Sequence, residues 1–252
     1  MFIKRVGQGP DLVMVHGWSM HSGVWQPLIE LLADKFTLHL VDLPGHGQSD
    51  WQAEALQIDQ LLTEFAENLP QTAHWLGWSL GGQLSLAFAS RYPQRVNKLI
   101  LLAANPKFVT SDDWHCAMDA AVFAVFAGQL DHNQRETLKR FVMLQARGAE
   151  GSRDTIQLLA EQTADNVAHP EALQAGLDLL ETLDLRTQLA QLTLPVKCIF
   201  GERDQLVPIT LAENLSSLNS NISIDRIAGA GHAPFISRPQ LCADKICEFL
   251  HD

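Results

Sequence analysis

Six short, almost continuously apolar runs, Asp11–His16, Thr37–Asp42, His74–Gly77, Lys98–Ala103, Val196–Phe200 and Ile222–Ile227, are separated by longer amphipathic stretches. Most are too uniformly apolar for a sheet with one wet face, so they predict strands buried on both sides. Their alternation with helical periodicity predicts parallel strands joined by crossover helices, with helices on both faces of the sheet. Phe2–Val6 is expected at an edge. Such a sheet needs one large core, and 252 residues that are 46% hydrophobic can supply it.

Between Ser111 and Leu185 the rhythm changes. Apolar residues recur at helical spacing through Ala117–Phe126, Leu138–Leu144 and Leu173–Leu183, and no strand is predicted. Because strands resume at Val196, this stretch interrupts one sheet. The expected organisation is an α/β core of residues 1–110 and 185–252 with a helical cap inserted at 111–184. Acidic residues outnumber basic ones by 29 to 18, a formal charge of -11, which argues against a nucleic-acid partner. Met1–Arg5 has no apolar leader pattern and no later run is long enough to cross a bilayer, so a soluble, cytoplasmic chain with no membrane partner is expected. Cys116, Cys198, Cys242 and Cys247 form no CxxC pair and fit no common zinc spacing, so they are read as structural thiols and no metal is expected.

The strongest chemical signal is Gly77-Trp78-Ser79-Leu80-Gly81-Gly82, between an apolar strand and the apolar helix Leu84–Ala89. A serine on a sharp strand-to-helix turn needs small neighbours because two backbones approach closely there. Its hydroxyl is a weak nucleophile and needs a base, and the base needs a group to hold its tautomer. Asp204 follows the strand ending at Phe200, and His232 lies in a glycine-rich loop after Ile222–Ile227. Glu202 and Asp225 are rival carboxylates; the G-x-x-D spacing from Gly201 favours Asp204. None of the other nine histidines follows the last strand in a glycine-flanked loop. The expected catalytic residues are therefore Ser79, Asp204 and His232. Two amides must hold a developing oxyanion, and Leu80 and Trp18 are the expected donors. Asp42–Ser49 reads as turn geometry, so Asp42 and His46 are not assigned to catalysis, and His16 is read as structural.

Together, His16-Gly17-Trp18, Asp42–Ser49, Gly77–Gly82, Gly201–Pro208 and Gly231-His232 resemble the α/β-hydrolase superfamily. More narrowly, Phe36–Gly45, Trp75–Gly82, Arg140-Phe141 with Leu144-Gln145, and His232–Ser237 resemble the pimeloyl-acyl-carrier-protein methyl ester esterases of biotin synthesis. The resemblance implies hydrolysis of the methyl ester on a carrier-bound pimeloyl chain, giving methanol, by a cofactor-free monomer. It implies that Trp18, Ser79, Leu80, Phe141, Val142, Met143, Leu144, Gln145 and His232 bind substrate. It further implies that Arg140, Arg153, Arg135, Arg147 and Lys139 dock the acidic acyl-carrier protein, although Gln157 stands where another Arg is implied. A broad short-chain carboxylesterase, a carbon–carbon bond hydrolase and a non-catalytic ligand sensor remain as alternatives at this point.

Overall fold

A computed structural model describes residues 1–165 and 168–251. Among these residues, seven strands form one sheet: β1 (Phe2–Gly7), β2 (Asp11–Val15), β3 (Thr37–Asp42), β4 (Ala73–Trp78), β5 (Val96–Leu102), β6 (Val196–Gly201) and β7 (Ile222–Ile227). Their order is β1-β3-β2-β4-β5-β6-β7. Only β1 is antiparallel, pairing Phe2 with Asp42 and Gly7 with Thr37; the other neighbours are parallel. The helices are α1 (Gln26–Leu32), α2 (Ile58–Asn68), α3 (Leu80–Arg91), α4 (Ala120–Leu130), α5 (Gln134–Ala146), α6 (Ser152–Asp165), α7 (Pro170–Thr182), α8 (Arg186–Gln191), α9 (Leu211–Leu218), α10 (Pro234–Ser237) and α11 (Pro239–His251).

The period of two along each strand divides the core into two layers. Val13, Val15 and Trp75 pack with Phe65 of α2 and Phe88 of α3 on one face. Leu12, Met14, Leu76 and Trp78 pack with Trp25, Phe235 and Ile246 on the other. The edge strands β1 and β7 carry exposed Lys4, Arg5 and Arg226, charges that discourage further strand pairing. In the strand order, β2 is flanked by β3 and β4, so connections leave in opposite directions there. Open α/β sheets hold their ligands at the carboxyl ends of such a switch point.

Helices α4 to α7 lie between β5 and β6 in the chain. Helix α4 begins at Ala120, later than the apolar pattern predicts, because Asp119 accepts the Val122 amide (3.0 Å) as its N-cap. Residues 107–118 instead form short bridges, including Val109 with Met118. Helix α6 was not anticipated, since its sequence is rich in polar residues. The two crossings into this segment are tied together. Arg186 bonds Asp184 (2.6 and 2.8 Å) and Asp113 (2.9 Å), and its guanidinium holds the Asp184 carboxyl well below the usual carboxylate range. Lys107 also reaches Asp184 (3.1 Å). The start of α7 is pinned by the His169 amide on Gly45 O (2.8 Å) and by Trp51 stacked on the His169 ring.

Candidate active site

Ser79 sits between β4 and α3 with φ of 55° and ψ of -119°, a left-handed conformation that costs a serine roughly 1–3 kcal/mol. Helix α3 starts immediately afterwards, at Leu80, earlier than the apolar pattern alone predicts. The turn is possible because Cβ atoms are missing around it. One on Gly81 would lie 2.2 Å from Val15 O, and one on Gly77 would lie 2.2 Å from Gly81 O. These glycines let β2, β4 and α3 close around the serine and leave its hydroxyl at the sheet's carboxyl edge.

Across the sheet, the loops after β6 and β7 supply the other two groups. Ser79 Oγ lies 2.9 Å from His232 Nε2, and His232 Nδ1 lies 2.7 Å from Asp204 Oδ2. His232 is fully buried and Asp204 nearly so. An ionised carboxylate can only accept, so Nδ1 carries the imidazole proton and Nε2 is free to accept one from the hydroxyl. Asp204 Oδ1 is itself held by the amides of Leu206 (2.8 Å) and Val207 (3.0 Å), which fixes the carboxylate plane. The rival carboxylates are engaged elsewhere: Glu202 accepts the Gly229 amide (3.2 Å) and Asp225 pairs with Lys197 (2.8 Å).

The imidazole's own backbone is also held. Trp78 Nε1 donates to His232 O (2.8 Å), and the His232 amide donates to Gln145 O at the end of α5 (2.8 Å). Neither contact was foreseen, although the tryptophans around Ser79 were the least generic part of that motif. The backbone N–H groups of Trp18 and Leu80, both in buried residues, donate to no other group among the described residues. Leu80 directly follows Ser79, and Gly17, next to Trp18, lies so near that a Cβ on it would stand 3.3 Å from Ser79 Cβ; two free amides there suit an oxyanion.

In front of Ser79 lies a narrow slot of about 40 Å³ whose other walls are apolar: Phe108, Phe123 and Phe126, Phe141 and Leu144 of α5, and Leu177 and Leu180 of α7. Trp18 braces it, edge-on to Phe141 and Phe126 (centroids 4.8 and 5.6 Å) and bonded through its indole to Leu173 O (2.8 Å). The expectation that the whole run Phe141–Gln145 lines this slot needs correction. Successive helical residues turn by about 100°, so a run of five cannot share a face. Phe141 and Leu144 reach the slot, whereas Val142 packs in the opposite core layer and Met143 is 53% exposed. Gln145 is buried and reaches the site through its carbonyl. A wider cleft of about 830 Å³ beside α2, lined by Asp59, Glu64 and Glu67, contains none of these residues, so volume does not locate the site.

Among the described residues, no group of three or more His, Cys, Asp or Glu side chains is arranged to hold a metal ion, and no helix is long and apolar enough to cross a membrane. Cys198 and Cys242 are buried thiols pushed up to about 12 by desolvation. His16 braces the loop beneath Trp18: Nδ1 donates to Gly17 O (2.8 Å) and Nε2 accepts the Leu43 amide (3.0 Å). Burial, reinforced by the nearby His46 ring, pushes His16 down to about 3, and burial pushes His46 down to about 4. Both histidines titrate near 6.5 once unfolded, so their contribution to stability is complete above that pH and is lost as pH falls towards the folded values. Urea titrations at about pH 7.5 and pH 5 should differ by roughly 2 kcal/mol for each of the two. His46→Gln should flatten the slope; equal slopes in both proteins would show that His46 is not the titrating group.

The family model described as alpha/beta hydrolase fold matches residues 10–239. A pimeloyl-[acyl-carrier protein] methyl ester esterase of Xanthomonas oryzae pv. oryzae is 43% identical over 251 residues, covering 99% of this chain and 97% of the relative. One of Nitrosomonas europaea is 40% identical over 240 residues, covering 94% of each. Among solved structures, an esterase from Exiguobacterium antarcticum superposes with a TM-score of 0.88 at 20% identity, covering 100% of this chain and 95% of that one. A bromoperoxidase from Bacillus anthracis gives 0.87 at 20% identity, covering 99% and 95%. These distant structures share the fold. With the close relatives matched from end to end, the chain belongs to the α/β hydrolase fold family and, within it, to the pimeloyl-[acyl-carrier protein] methyl ester esterases.

Proposed function

We propose that this chain is a serine esterase that removes the methyl group from a carrier-bound pimeloyl methyl ester in biotin synthesis, releasing methanol. The observation that carries the chemistry is the unbroken series of hydroxyl, imidazole and carboxylate at the mouth of an apolar slot. Ser79 Oγ attacks the ester carbonyl while His232 takes its proton, and the Trp18 and Leu80 amides hold the oxyanion. The protonated imidazole then gives its proton to the leaving methoxide. Water activated by His232 hydrolyses the acyl-enzyme, and Asp204 stabilises the imidazolium without being protonated. No cofactor enters these steps. The same reading treats 111–184 as a cap over a core of 1–110 and 185–252, and places the protein in the cytoplasm as a monomer. The slot holds about three water molecules at most, so its apolar walls must give way to admit an acyl chain.

The carrier protein docks on the outer side of α5 and α6. Arg135 and Lys139 border a groove floored by Leu138, Val142, Met143 and Ile156. Arg140 and Arg147 border the adjoining one, and Met143 and Ile156 belong to both. Among the described residues, no acidic side chain lines either groove, on a chain of net charge -11. Arg153 is exposed on α6. A basic, partly apolar strip on an acidic protein steers an acidic partner to one face. Arg140 is the least available of these cations, since it donates to Gln129 Oε1 (2.8 Å) and faces Glu136 (4.0 Å). Reversing Arg135, Lys139 and Arg147 together to Glu should lower kcat/KM for the carrier-bound ester by about tenfold to a hundredfold at low salt. Hydrolysis of p-nitrophenyl acetate should be unchanged. Equal losses on both substrates would remove the carrier from this face, and a wild type indifferent to the carrier would favour a general short-chain esterase.

A further inference from the structure

The turn joining α5 to α6 lies outside the apolar slot, yet it bonds both loops that present the acid and the base. Gln145 O accepts the His232 amide (2.8 Å), and the Glu150 amide donates to Gly229 O (2.8 Å). The Glu150 carboxylate receives Arg238 Nη2 (2.6 Å) and Arg203 Nη2 (3.3 Å). Arg203 also donates through Nη1 to Gly148 O (3.1 Å), and its amide donates to Ala230 O (2.8 Å). Arg203 immediately precedes Asp204, while Gly229 and Ala230 lead into His232. The fit is close: a Cβ on Gly229 would stand 2.7 Å from the Glu150 carboxyl carbon, and one on Gly231 would stand 2.6 Å from Gln145 O.

We propose that Glu150 is a positioning residue for the His232–Asp204 pair, clamping the two loops at a fixed spacing from the helical cap. Its carboxylate bridges a guanidinium beside the acid to one beyond the base, so it sets the distance across which the imidazole must reach Ser79. The three charged side chains are 37–53% exposed. Exposed ion pairs contribute little to folding. Orientation at a reacting centre is far more sensitive, where a displacement of about 1 Å costs on the order of a hundredfold in rate. Losing the clamp therefore slows the chemistry without unfolding the protein. The inference rests on Ser79, His232 and Asp204 being the reacting groups. It also makes α5 common to two events, since the carrier is proposed to dock on its outer side while the Gln145 carbonyl in its last turn holds the base.

The test uses the full chain and p-nitrophenyl acetate, a substrate too short to depend on the carrier surface. Glu150→Ala and Arg238→Gln should each lower kcat about fivefold to twentyfold, with KM within about twofold and the thermal midpoint within about 2 °C. Labelling of Ser79 by a fluorophosphonate should slow by the same factor, because it needs the same base. Glu150→Asp, which keeps the charge, should recover part of the loss. Wild-type kcat in Glu150→Ala, or a loss matched by a lower melting temperature and not relieved by Asp, would overturn the clamp. Ser79→Ala run alongside separates the two ideas: if it stays active the reading of the site fails, whereas if it is dead while Glu150→Ala is normal only the clamp fails.

Discussion

Ser79→Ala should lower kcat for any ester by about 10⁵–10⁶, with the protein folded and its melting temperature nearly unchanged. The size follows from interdependence. His232 has no proton to take once the hydroxyl is gone, and the carboxylate behind it then orients a base with no task. Adding His232→Ala to Ser79→Ala should therefore cost almost nothing more, because on the proposed mechanism the residual rate comes from the Trp18 and Leu80 amides and from binding. Replacing the residue also relieves little strain, since alanine at φ 55° is as disfavoured as serine. Steady-state rates on p-nitrophenyl acetate for the two single variants and the double would decide the matter; a multiplicative loss in the double would mean that the groups act separately.

Asp204→Asn should cost about 10⁴ in kcat, although it changes the side chain by one atom. Two backbone amides, from Leu206 and Val207, point at Oδ1 and require an acceptor there. The new side chain must leave its oxygen at that place and turn its NH₂ towards His232 Nδ1. Facing a donor, Nδ1 becomes the acceptor and the imidazole proton moves to Nε2, where it confronts the Ser79 hydroxyl. The base then has no lone pair for the proton it should remove. Crystallographic geometry should be unaltered and the loss confined to rate; a variant within tenfold of wild type would mean that the carboxylate is not setting the tautomer.

What could be read from the chain alone follows from how local each feature is. Ser79, Asp204 and His232 were legible because each stands in a loop whose glycines announce a tight turn after an apolar strand. The strands emerged within one or two residues at their ends, because burial on both faces leaves a plain apolar signal. Helix α6 was missed because its apolar residues are few, and the start of α4 was misplaced because Asp119 caps it after the pattern has begun. The indole of Trp78 on His232 O and the carbonyl of Gln145 on its amide join residues 154 and 87 positions apart, and no spacing within a segment encodes such bonds. Transferring the run Phe141–Gln145 as a block failed at Val142 and Met143 because a helix distributes consecutive residues around its axis.

The apolar slot before Ser79 gives the reaction a direction of traffic. A methyl ester is a neutral guest that these aromatic walls accept, but hydrolysis turns its end into an anion at neutral pH. Apart from the Ser79 hydroxyl and the proposed oxyanion amides, the walls offer that anion no counter-charge among the described residues. Stranding an unpaired carboxylate among phenylalanines and leucines is strongly unfavourable. Turnover thus converts a welcome ligand into one the site ejects, and the enzyme clears itself of the acid it makes.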